Sequence, residues 1–343
     1  MIKIKVYVFT ALLICLSGYF SSVQGQETGY VMTVKGKIDA DEMGKTLIHE
    51  HIVTNFEGTK NPNQTFEDQE RAINLILPHL KYIRSLGYET LFECTPSYIG
   101  KNVELLQKLS ELSGLNIVTN TGFYAAVDKK YLPEIVYNEA AQTLASMWYE
   151  EWKDGIADSG IRPGFIKLGV GKGELDTIEQ KIFKAGMILS KKTGMTIAVH
   201  TGDGNSIKSQ ARLAEENDFD LQKLIWVHAQ NGNDQERMSM AEKGIWISLD
   251  GVSETRMDEY IKMIVIIREH SLLSRLLLSH DDGWGVEFDN GELVLKPFGN
   301  GNKIPYRTIS EVLIKKLNAL GFTQKQIDMI FIENPKKAFG ILN

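Results

Sequence analysis

The chain has 343 residues, of which 43% are hydrophobic and 24% charged, and this is the composition of a globular protein with a large core. It excludes intrinsic disorder as a description of the chain. The formal net charge of −6 and the lack of a basic stripe argue against a nucleic-acid partner and against an anionic membrane surface.

The first 25 residues are predicted to be a signal peptide. Lys3 and Lys5 precede an apolar run over residues 6–16, and small and polar residues follow up to Gly25. Such a run is too short for an ordinary membrane-spanning helix. We therefore expect export to the periplasm or the medium, no membrane span, and a single mature domain over residues 26–343.

Removal of this segment changes both the charge and the cysteine count. It deletes two lysines and no acidic residue, which takes the net charge from −6 to −8. It also deletes Cys15, so Cys94 has no partner for a disulfide within the mature chain. Cys94 lies inside an apolar run, where a buried packing residue is the more common role than a nucleophile.

The mature chain begins with an alternating segment at residues 30–38, which predicts a short strand or hairpin arm. Short apolar runs then alternate with amphipathic helices. Eight runs are predicted as strands, namely 46–51, 89–94, 116–121, 163–168, 195–200, 223–228, 245–250 and 275–280. One predicted helix spans residues 66–86 and has an apolar face made by Leu75, Leu77, Leu80 and Ile83.

This alternation predicts the α/β class and a (β/α)8 TIM-type barrel with a short N-terminal β extension. The alternative is an open doubly wound sheet. It is disfavoured because neither G-x-G-x-x-G nor G-x-x-x-x-G-K-[ST] follows any predicted strand.

Histidines cluster at predicted strand ends, which is where such barrels carry their catalytic groups. His49 and His51 are two residues apart on the first strand, so both side chains share a face and can bind one cation. His200 and His228 end the fifth and sixth strands. One histidine alone is more often a packing residue, but four at one rim predict a metal site, because imidazole is the commonest ligand for zinc and similar ions.

Two further residues belong to the same rim. Lys167 interrupts the fourth strand on the face opposite its apolar neighbours, so its costly ammonium is expected inside the barrel. It either pairs with a carboxylate or loses its proton and takes up carbon dioxide as a carbamate that bridges two cations. Asp281 follows the eighth strand and points inward in one register, whereas His280 and Asp282 do so in the other.

The ordered set His49-Glu50-His51, Lys167, His200, His228 and Asp281 resembles the phosphotriesterase-related family of the amidohydrolase superfamily. The segments around these residues match too, including Glu333-Asn334-Pro335 near the end of the chain. The resemblance covers nearly all of the mature chain. It implies a (β/α)8 barrel, two divalent metal ions, most simply zinc with manganese, cobalt or iron as alternatives, and the homodimer common in the family.

The resemblance also implies a role for each site residue. His49, His51 and Asp281 would bind the buried metal, and His200 and His228 the more exposed one. Lys167, N6-carboxylated by carbon dioxide, and a hydroxide would bridge the two metals. The hydroxide would attack the substrate while Asp281 acts as the catalytic general base.

The sequence departs from the family pattern at the proton relay. Family phosphotriesterases pass the proton through a histidine and a second aspartate, and the matching positions here are Gly251 and Asn231. The lactonase branch often carries arginine at the first of these positions. Tyr124, however, matches a tyrosine that is usual in lactonases.

These observations predict hydrolysis of a small-molecule lactone or carboxylic ester, with phosphotriester cleavage as a side activity. The alternatives are a phosphotriesterase acting on organophosphates and a secreted metal-binding protein without turnover. Tyr124 and Trp284 are predicted to contact the substrate, and the segment 282–306, with Phe288 and Phe298, to set specificity. Each of these aromatic residues has the alternative role of a loop anchor.

Overall fold

The computed structural model describes residues 29–57, 66 and 68–342, so the predicted signal peptide lies outside the described residues. The strands are β1 Tyr30–Thr33, β2 Gly36–Asp39, β3 Lys45–Glu50, β4 Val53–Thr54, β5 Tyr88–Glu93, β6 Asn116–Val118, β7 Asn120–Thr121, β8 Phe165–Val170, β9 Ile197–Thr201, β10 Leu224–Val227, β11 Trp246–Leu249, β12 Leu276–Leu278, β13 Gly283–Asp289 and β14 Glu292–Phe298. The helices are α1 Gln69–Ser85, α2 Val103–Ser113, α3 Ile135–Asn138, α4 Ala141–Asp154, α5 Thr177–Thr193, α6 Gly204–Glu216, α7 Asp234–Glu242, α8 Met257–Glu269, α9 Ile314–Ala319, α10 Gln324–Asp328 and α11 Asn334–Phe339. Across these ranges, no helix has the length and apolar character that a membrane crossing requires.

All eight predicted strands are confirmed and run parallel. Strands β3, β5 and β6 form one sheet, and β7 to β12 form the next in chain order. The predicted strand 116–121 is divided into β6 and β7 at Thr119, whose carbonyl accepts a hydrogen bond from the Gly164 amide at 2.8 Å. The two sheets therefore meet at the break between β6 and β7 and continue around a common axis.

The first and last strands meet at a seam. The His49 amide donates to Ser279 Oγ at 3.0 Å, and the Asp281 amide donates to the His49 carbonyl at 3.1 Å. The His51 amide donates to the Asp282 carbonyl at 2.8 Å. These bonds close the eight strands into a barrel, with β12 beside β3.

The interior is apolar at the N-terminal end of the barrel. The alternating N-terminal segment forms the antiparallel hairpin β1–β2, and Val31 packs inside with the barrel residues Phe92 and Phe165. Phe339 of α11 stacks on this group with its ring centroid 4.0 Å from that of Phe92. The β1–β2 hairpin and α11 thus close this end of the barrel, and the opposite end carries the polar strand termini.

Helix α1 begins later than predicted. Asp68 caps it by accepting from the Arg71 amide at 2.9 Å, so the helix starts at Gln69 rather than at residue 66. Leu80 and Ile83 are buried as expected, but Leu75 is 38% exposed. The buried stripe runs through Ala72, Ile76, Leu80 and Ile83, which keeps the helical spacing of three and four residues.

The segment after the eighth barrel strand is a hairpin. Strands β13 and β14 pair antiparallel over seven residues each, and β13 also pairs with β4 directly after the histidine pair. Asn290 and Gly291 form the turn with φ values of 49° and 90°, which is the Asn-Gly geometry favoured in two-residue hairpins. The hairpin therefore begins at the same rim as the predicted site.

Candidate metal centre

The histidine pair lies where β3 leaves regular pairing. Between Leu47 and Glu50 this strand advances three residues while its partner β5 advances two. An extra residue of this kind is a β-bulge, which bends a strand and re-aims its side chains. Ile48 packs in the barrel interior, and the next side chain, His49, still reaches the polar mouth.

His49, His51 and Asp281 converge on one point. Asp281 Oδ1 lies 3.3 Å from His49 Nε2 and 3.1 Å from His51 Nε2. Two atoms bound tetrahedrally to one zinc ion at about 2.1 Å are about 3.4 Å apart, so these separations fit a shared cation. Burial alone would raise the pKa of Asp281, but His49, the hydrogen bond from His51, and His228 together lower it, so the carboxylate is ionised.

A chain of aromatic rings extends from this triad across the mouth. The ring centroids of His49 and His228 are 5.1 Å apart, and those of His228 and His200 are 4.5 Å apart. The Tyr124 ring lies edge-on to His200 at 4.9 Å. The structure therefore brings together all four histidines that the sequence placed at this rim.

The two histidines outside this triad, His228 and His200, are in the neutral form that binds metals. Burial lowers the pKa of His228 to about 4, with His49 lowering it further and the carboxylates of Asp281 and Asp250 partly offsetting the effect. Burial also lowers the pKa of His200 well below its usual value. A neutral imidazole keeps a lone pair for a cation, so neither ring has to lose a proton before it binds.

Lys167 lies inside the barrel, as its strand position predicted, and only 2% of its surface is exposed. Burial lowers the pKa of its ammonium, while the nearby Cys94 and the carboxylates of Asp281 and Asp250 act in the opposite direction. A neutral amine at this place is the chemical form that can react with carbon dioxide. Among the described residues, Cys94 itself is a buried free thiol.

Asp250 is a site residue that the sequence analysis did not select. Its Oδ2 lies 3.3 Å from His49 Nδ1 and accepts the His228 amide at 3.0 Å, and its Oδ1 accepts the Ser248 hydroxyl at 2.6 Å. Asp250 therefore lies at ion-pair distance from His49 on the side opposite Asp281, which is a position from which carboxylates orient metal-binding histidines. Its position just after β11 was the available signal, since the other ligand candidates also lie at strand ends.

The register left open at the eighth strand is now decided. Asp281 faces the histidines with a φ of 57°. His280 and Asp282 point away from the mouth, are fully buried, and are hydrogen bonded to Glu50. The central residue of the His-Glu-His motif thus faces away from the histidines, as the strand alternation predicted.

Of the two residues predicted to contact substrate, only Tyr124 lies at the mouth. Its backbone pairs with Gly169 in an isolated parallel bridge, and a side chain at position 169 would overlap the Tyr124 ring. Burial raises the pKa of the Tyr124 hydroxyl, and the charge of Asp281 raises it further. The hydroxyl is therefore protonated at neutral pH and can donate a hydrogen bond.

The prediction for Trp284 is corrected by its placement. The side chain has no exposed surface and packs on His79 at 5.2 Å and Tyr306 at 5.4 Å between ring centroids. A ring enclosed in this way anchors β13 and has no surface to offer a substrate. Phe298 takes the place at the mouth instead, with its ring 5.6 Å from His51, while Phe288 is 73% exposed on the hairpin.

The family's proton-relay positions carry no relay here. Gly251 has a φ of 89°, and a Cβ on it would lie 2.7 Å from Cγ of Asn300. The Asn300 amide therefore occupies the space where a side chain at position 251 would begin, and it donates to the His280 carbonyl at 3.2 Å. Asn231 is exposed as the last residue of the short helical turn that follows His228.

Comparison with known proteins agrees with this geometry. A family model described as Phosphotriesterase family matches residues 29–339. The Phosphotriesterase homology protein of Escherichia coli is 26% identical over 304 residues, which are 87% of this chain and 99% of the relative. The Aryldialkylphosphatase of Saccharolobus solfataricus is 26% identical over 323 residues, which are 89% of this chain and 98% of the relative.

The fold has close counterparts among solved structures. A mutant of a PTE-like lactonase from Deinococcus radiodurans superimposes with a TM-score of 0.79 at 25% sequence identity, over 90% of this chain and all of that one. The likeness confirms the predicted (β/α)8 fold class.

Proposed function

Because this chain belongs to the phosphotriesterase family of metal-dependent hydrolases, we propose that it hydrolyses a lactone or another carboxylic ester at a centre of two divalent cations. The observation that carries the proposal is the convergence of His49, His51 and Asp281 at separations that suit one shared ion. Zinc is the cation we propose first, and manganese, cobalt and iron share the same ligand preferences.

The second cation belongs beside the first. His200 and His228 would hold it, since their neutral rings lie 4.5 Å apart on the same rim. Lys167, converted to a carbamate, would supply oxygen ligands to both cations from inside the barrel. When bound, two such cations polarise the substrate's oxygen and lower the pKa of water enough to provide a nucleophile at neutral pH.

The protein's own groups would then handle the proton and the substrate. The ionised Asp281 is placed to accept the proton released as water attacks, which is the role of a general base. Tyr124, protonated and edge-on to His200, is placed to donate to a substrate oxygen. Phe298 and Phe56, with rings 5.4 Å apart beside His51, offer an apolar surface for the remainder of the substrate.

Two observations favour a lactone or ester over a phosphotriester. The relay positions are occupied by Gly251 and by the exposed Asn231, and Tyr124 lies where the lactonase pattern expects a tyrosine. The similarity to a PTE-like lactonase supports the same ordering. The similarity to an aryldialkylphosphatase supports phosphotriester cleavage as a side activity, or as the alternative main activity.

The test is a comparison of kcat/KM on a panel of lactones and carboxylic esters and on an aryl dialkyl phosphate, using the mature chain reconstituted with zinc, manganese or cobalt. We expect the best lactone or ester to exceed the phosphate. A preference for the phosphate of more than tenfold would reverse the ordering.

A second candidate is a metal-binding protein that has kept its ligands and lost turnover. The missing relay at Gly251 and Asn231 favours it, because it removes the family's route for the proton. Full metal content with no hydrolysis of any lactone, ester, amide or phosphate substrate would support this candidate.

We also propose that the protein is exported and acts as a homodimer on a small molecule, with no nucleic-acid partner. The predicted signal at residues 1–25 supports export. N-terminal sequencing of the protein recovered from the periplasm or medium should begin at Gln26. Light scattering on the purified chain should give twice the monomer mass.

A further inference from the structure

Thr95 lies beside the far nitrogen of His51. The Thr95 hydroxyl oxygen is 2.8 Å from His51 Nδ1, whereas His51 Nε2 faces Asp281 at 3.1 Å. Thr95 follows the end of β5, on the strand next to β3, and is fully buried. The two ring nitrogens of His51 therefore face two different partners.

The partners fix which nitrogen carries the proton. If Nε2 offers its lone pair to a cation, Nδ1 must bear the hydrogen and donate it to Thr95 Oγ1. Thr95 is held in turn through its backbone, because Glu93 Oε1 accepts the Thr95 amide at 3.3 Å. His51 is therefore oriented by the Thr95 hydroxyl, and the Thr95 backbone is fixed by Glu93.

Glu93 fixes the backbone on which Thr95 stands. It is buried, and its Oε1 accepts the amides of Ile52 and Thr95, each at 3.3 Å. Its Oε2 is buried and has no hydrogen-bond partner among the described residues. Burial raises the pKa of Glu93 to about 7, with the hydrogen bonds to the carboxylate and the charge of Lys101 partly offsetting the effect.

His49 has a different neighbour on its other side. Asp250 Oδ2 lies 3.3 Å from His49 Nδ1, while His49 Nε2 faces Asp281. Each histidine of the pair thus presents Nε2 to Asp281, but His49 Nδ1 lies near a carboxylate without a hydrogen bond, whereas His51 Nδ1 is within hydrogen-bond distance of the Thr95 hydroxyl.

We propose that Thr95 and Glu93 are positioning residues that hold His51 with Nε2 directed at the cation. The inference rests on the proposed metal centre and assigns to it two residues that bind no metal themselves. Loss of such outer partners typically weakens metal affinity by about 10–100-fold.

The decisive variant is Thr95→Val, which keeps the side-chain shape and removes the hydroxyl. The surrounding backbone has separate support, because Asn120 Nδ2 donates to the carbonyls of Glu93 at 3.0 Å and Thr95 at 3.1 Å. Thr95→Ser restores the hydroxyl and serves as the rescue. Thr119→Val is the matched control, since Thr119 is equally buried and its hydroxyl has no hydrogen-bond partner in the described part of the chain.

The measurement is zinc affinity of the full mature chain, by competition with a chromophoric chelator. We expect Thr95→Val to bind zinc 10–100-fold more weakly than wild type, with Thr95→Ser within threefold and Thr119→Val unchanged. Nitrogen-15 NMR of the zinc-loaded protein should show a protonated His51 Nδ1 whose proton signal shifts in Thr95→Val. Glu93→Ala, which removes the acceptor of the Thr95 amide, should weaken zinc binding as well, and the double variant should lose less than the sum of the two single losses.

Separate outcomes overturn the separate claims. Wild-type zinc uptake together with unchanged affinity in Thr95→Val would overturn this inference and leave the metal centre intact. Equal weakening in Thr119→Val would assign the effect to packing and also overturn it. A wild-type chain that takes up no divalent cation would overturn the metal centre and this inference with it.

Discussion

Glu50 and His280 are joined across the seam of the barrel, where Glu50 Oε1 accepts the Nδ1–H of His280 at 2.7 Å. The other ring nitrogen, Nε2, accepts the Ile309 amide at 3.0 Å, so the tautomer of this neutral histidine is fixed. Burial lowers the pKa of His280 to about 4, with Asp282 partly offsetting the effect. The same carboxylate also accepts the His280 and Asp282 amides, which flank Asp281 on both sides.

Replacement of Glu50 by glutamine should therefore destabilise the protein and loosen Asp281. The Glu50 carboxylate accepts all four of its hydrogen bonds. A glutamine amide would place an N–H against one of these donors. We expect the free energy of unfolding of the metal-free chain to fall by about 2–4 kcal/mol. Urea denaturation measures this change, and Glu216→Gln at an exposed position is the control. A loss below about 0.5 kcal/mol, which is the size of an ordinary surface change, would contradict a stabilising role for the Glu50 hydrogen bonds.

Lys167→Ala should abolish the two-metal centre. Lys167 is the buried amine placed to form the bridging carbamate, so its removal takes away ligands of both cations. We expect elemental analysis to show fewer than two metals per chain and kcat to fall at least 100-fold, on the order of the loss of a general catalytic group. In wild type, carbon-13 bicarbonate should label the lysine with a carbamate signal.

The control for this change is Lys223→Ala at the opposite end of the barrel. Lys223 donates to the Gly340 carbonyl at 3.2 Å and immediately precedes β10. It therefore lies at the N-terminal end of the barrel strands, away from the mouth. It should keep full metal content and activity. Retention of both by Lys167→Ala would reject the bridging carbamate.

A side chain at position 251 should disturb Asn300. Gly251→Ala places a Cβ 2.7 Å from Asn300 Cγ and puts a side chain on a φ of 89°. We expect a loss of about 1–3 kcal/mol in the free energy of unfolding, from overpacking and backbone strain together. For the same reason, Gly251→Arg or Gly251→His alone should destabilise the chain rather than restore a proton relay.

Removal of the Asn300 side chain provides the check. Asn300→Gly opens the space, so the double variant Gly251→Ala with Asn300→Gly should be more stable than the sum of the two single losses predicts. Additive losses would show that the crowding between these two residues is not the cause.

Tyr124→Phe should affect substrate use more than stability. The ring contact with His200 at 4.9 Å is retained, and only the protonated hydroxyl is lost. We expect kcat/KM on the best lactone to fall about tenfold, as for a hydrogen bond worth roughly 1.4 kcal/mol. Steady-state kinetics measure it against Tyr149→Phe, a tyrosine that stacks on Trp152. Equal kinetics in wild type and Tyr124→Phe would restrict Tyr124 to packing.

Val127→Gly should stabilise the loop after β7. Val127 is 56% exposed and has a φ of 57°, a left-handed conformation that is costly for a β-branched residue. Asp128 and Lys129 continue the left-handed turn with φ values of 53° and 62°. We expect glycine to raise the free energy of unfolding by about 0.5–1 kcal/mol. This is the net gain after subtracting the entropy that glycine adds to the unfolded chain. Val127→Ala, which keeps a Cβ, should gain less; a loss of stability with glycine would refute the strain.

The eight strands and the histidine rim could be predicted because they depend on local periodicity. Alternation of apolar residues places Lys167 inside the barrel whatever its neighbours are, and parallel strands bring His49, His200 and His228 to one end. The β-bulge between Leu47 and Glu50 was not visible in this alternation, since it concerns the pairing of two strands.

The sequence by itself therefore determined the barrel, its polar end and most candidate ligands, because each follows from spacings of a few residues. Only the tertiary structure decided that Asp281 rather than His280 faces the histidines, since that choice depends on Glu50, 230 residues away from His280. It also enclosed Trp284 and placed Thr95 and Asp250 behind the histidine pair. These outcomes depend on which strands become neighbours when the barrel closes, and a local pattern carries no record of that.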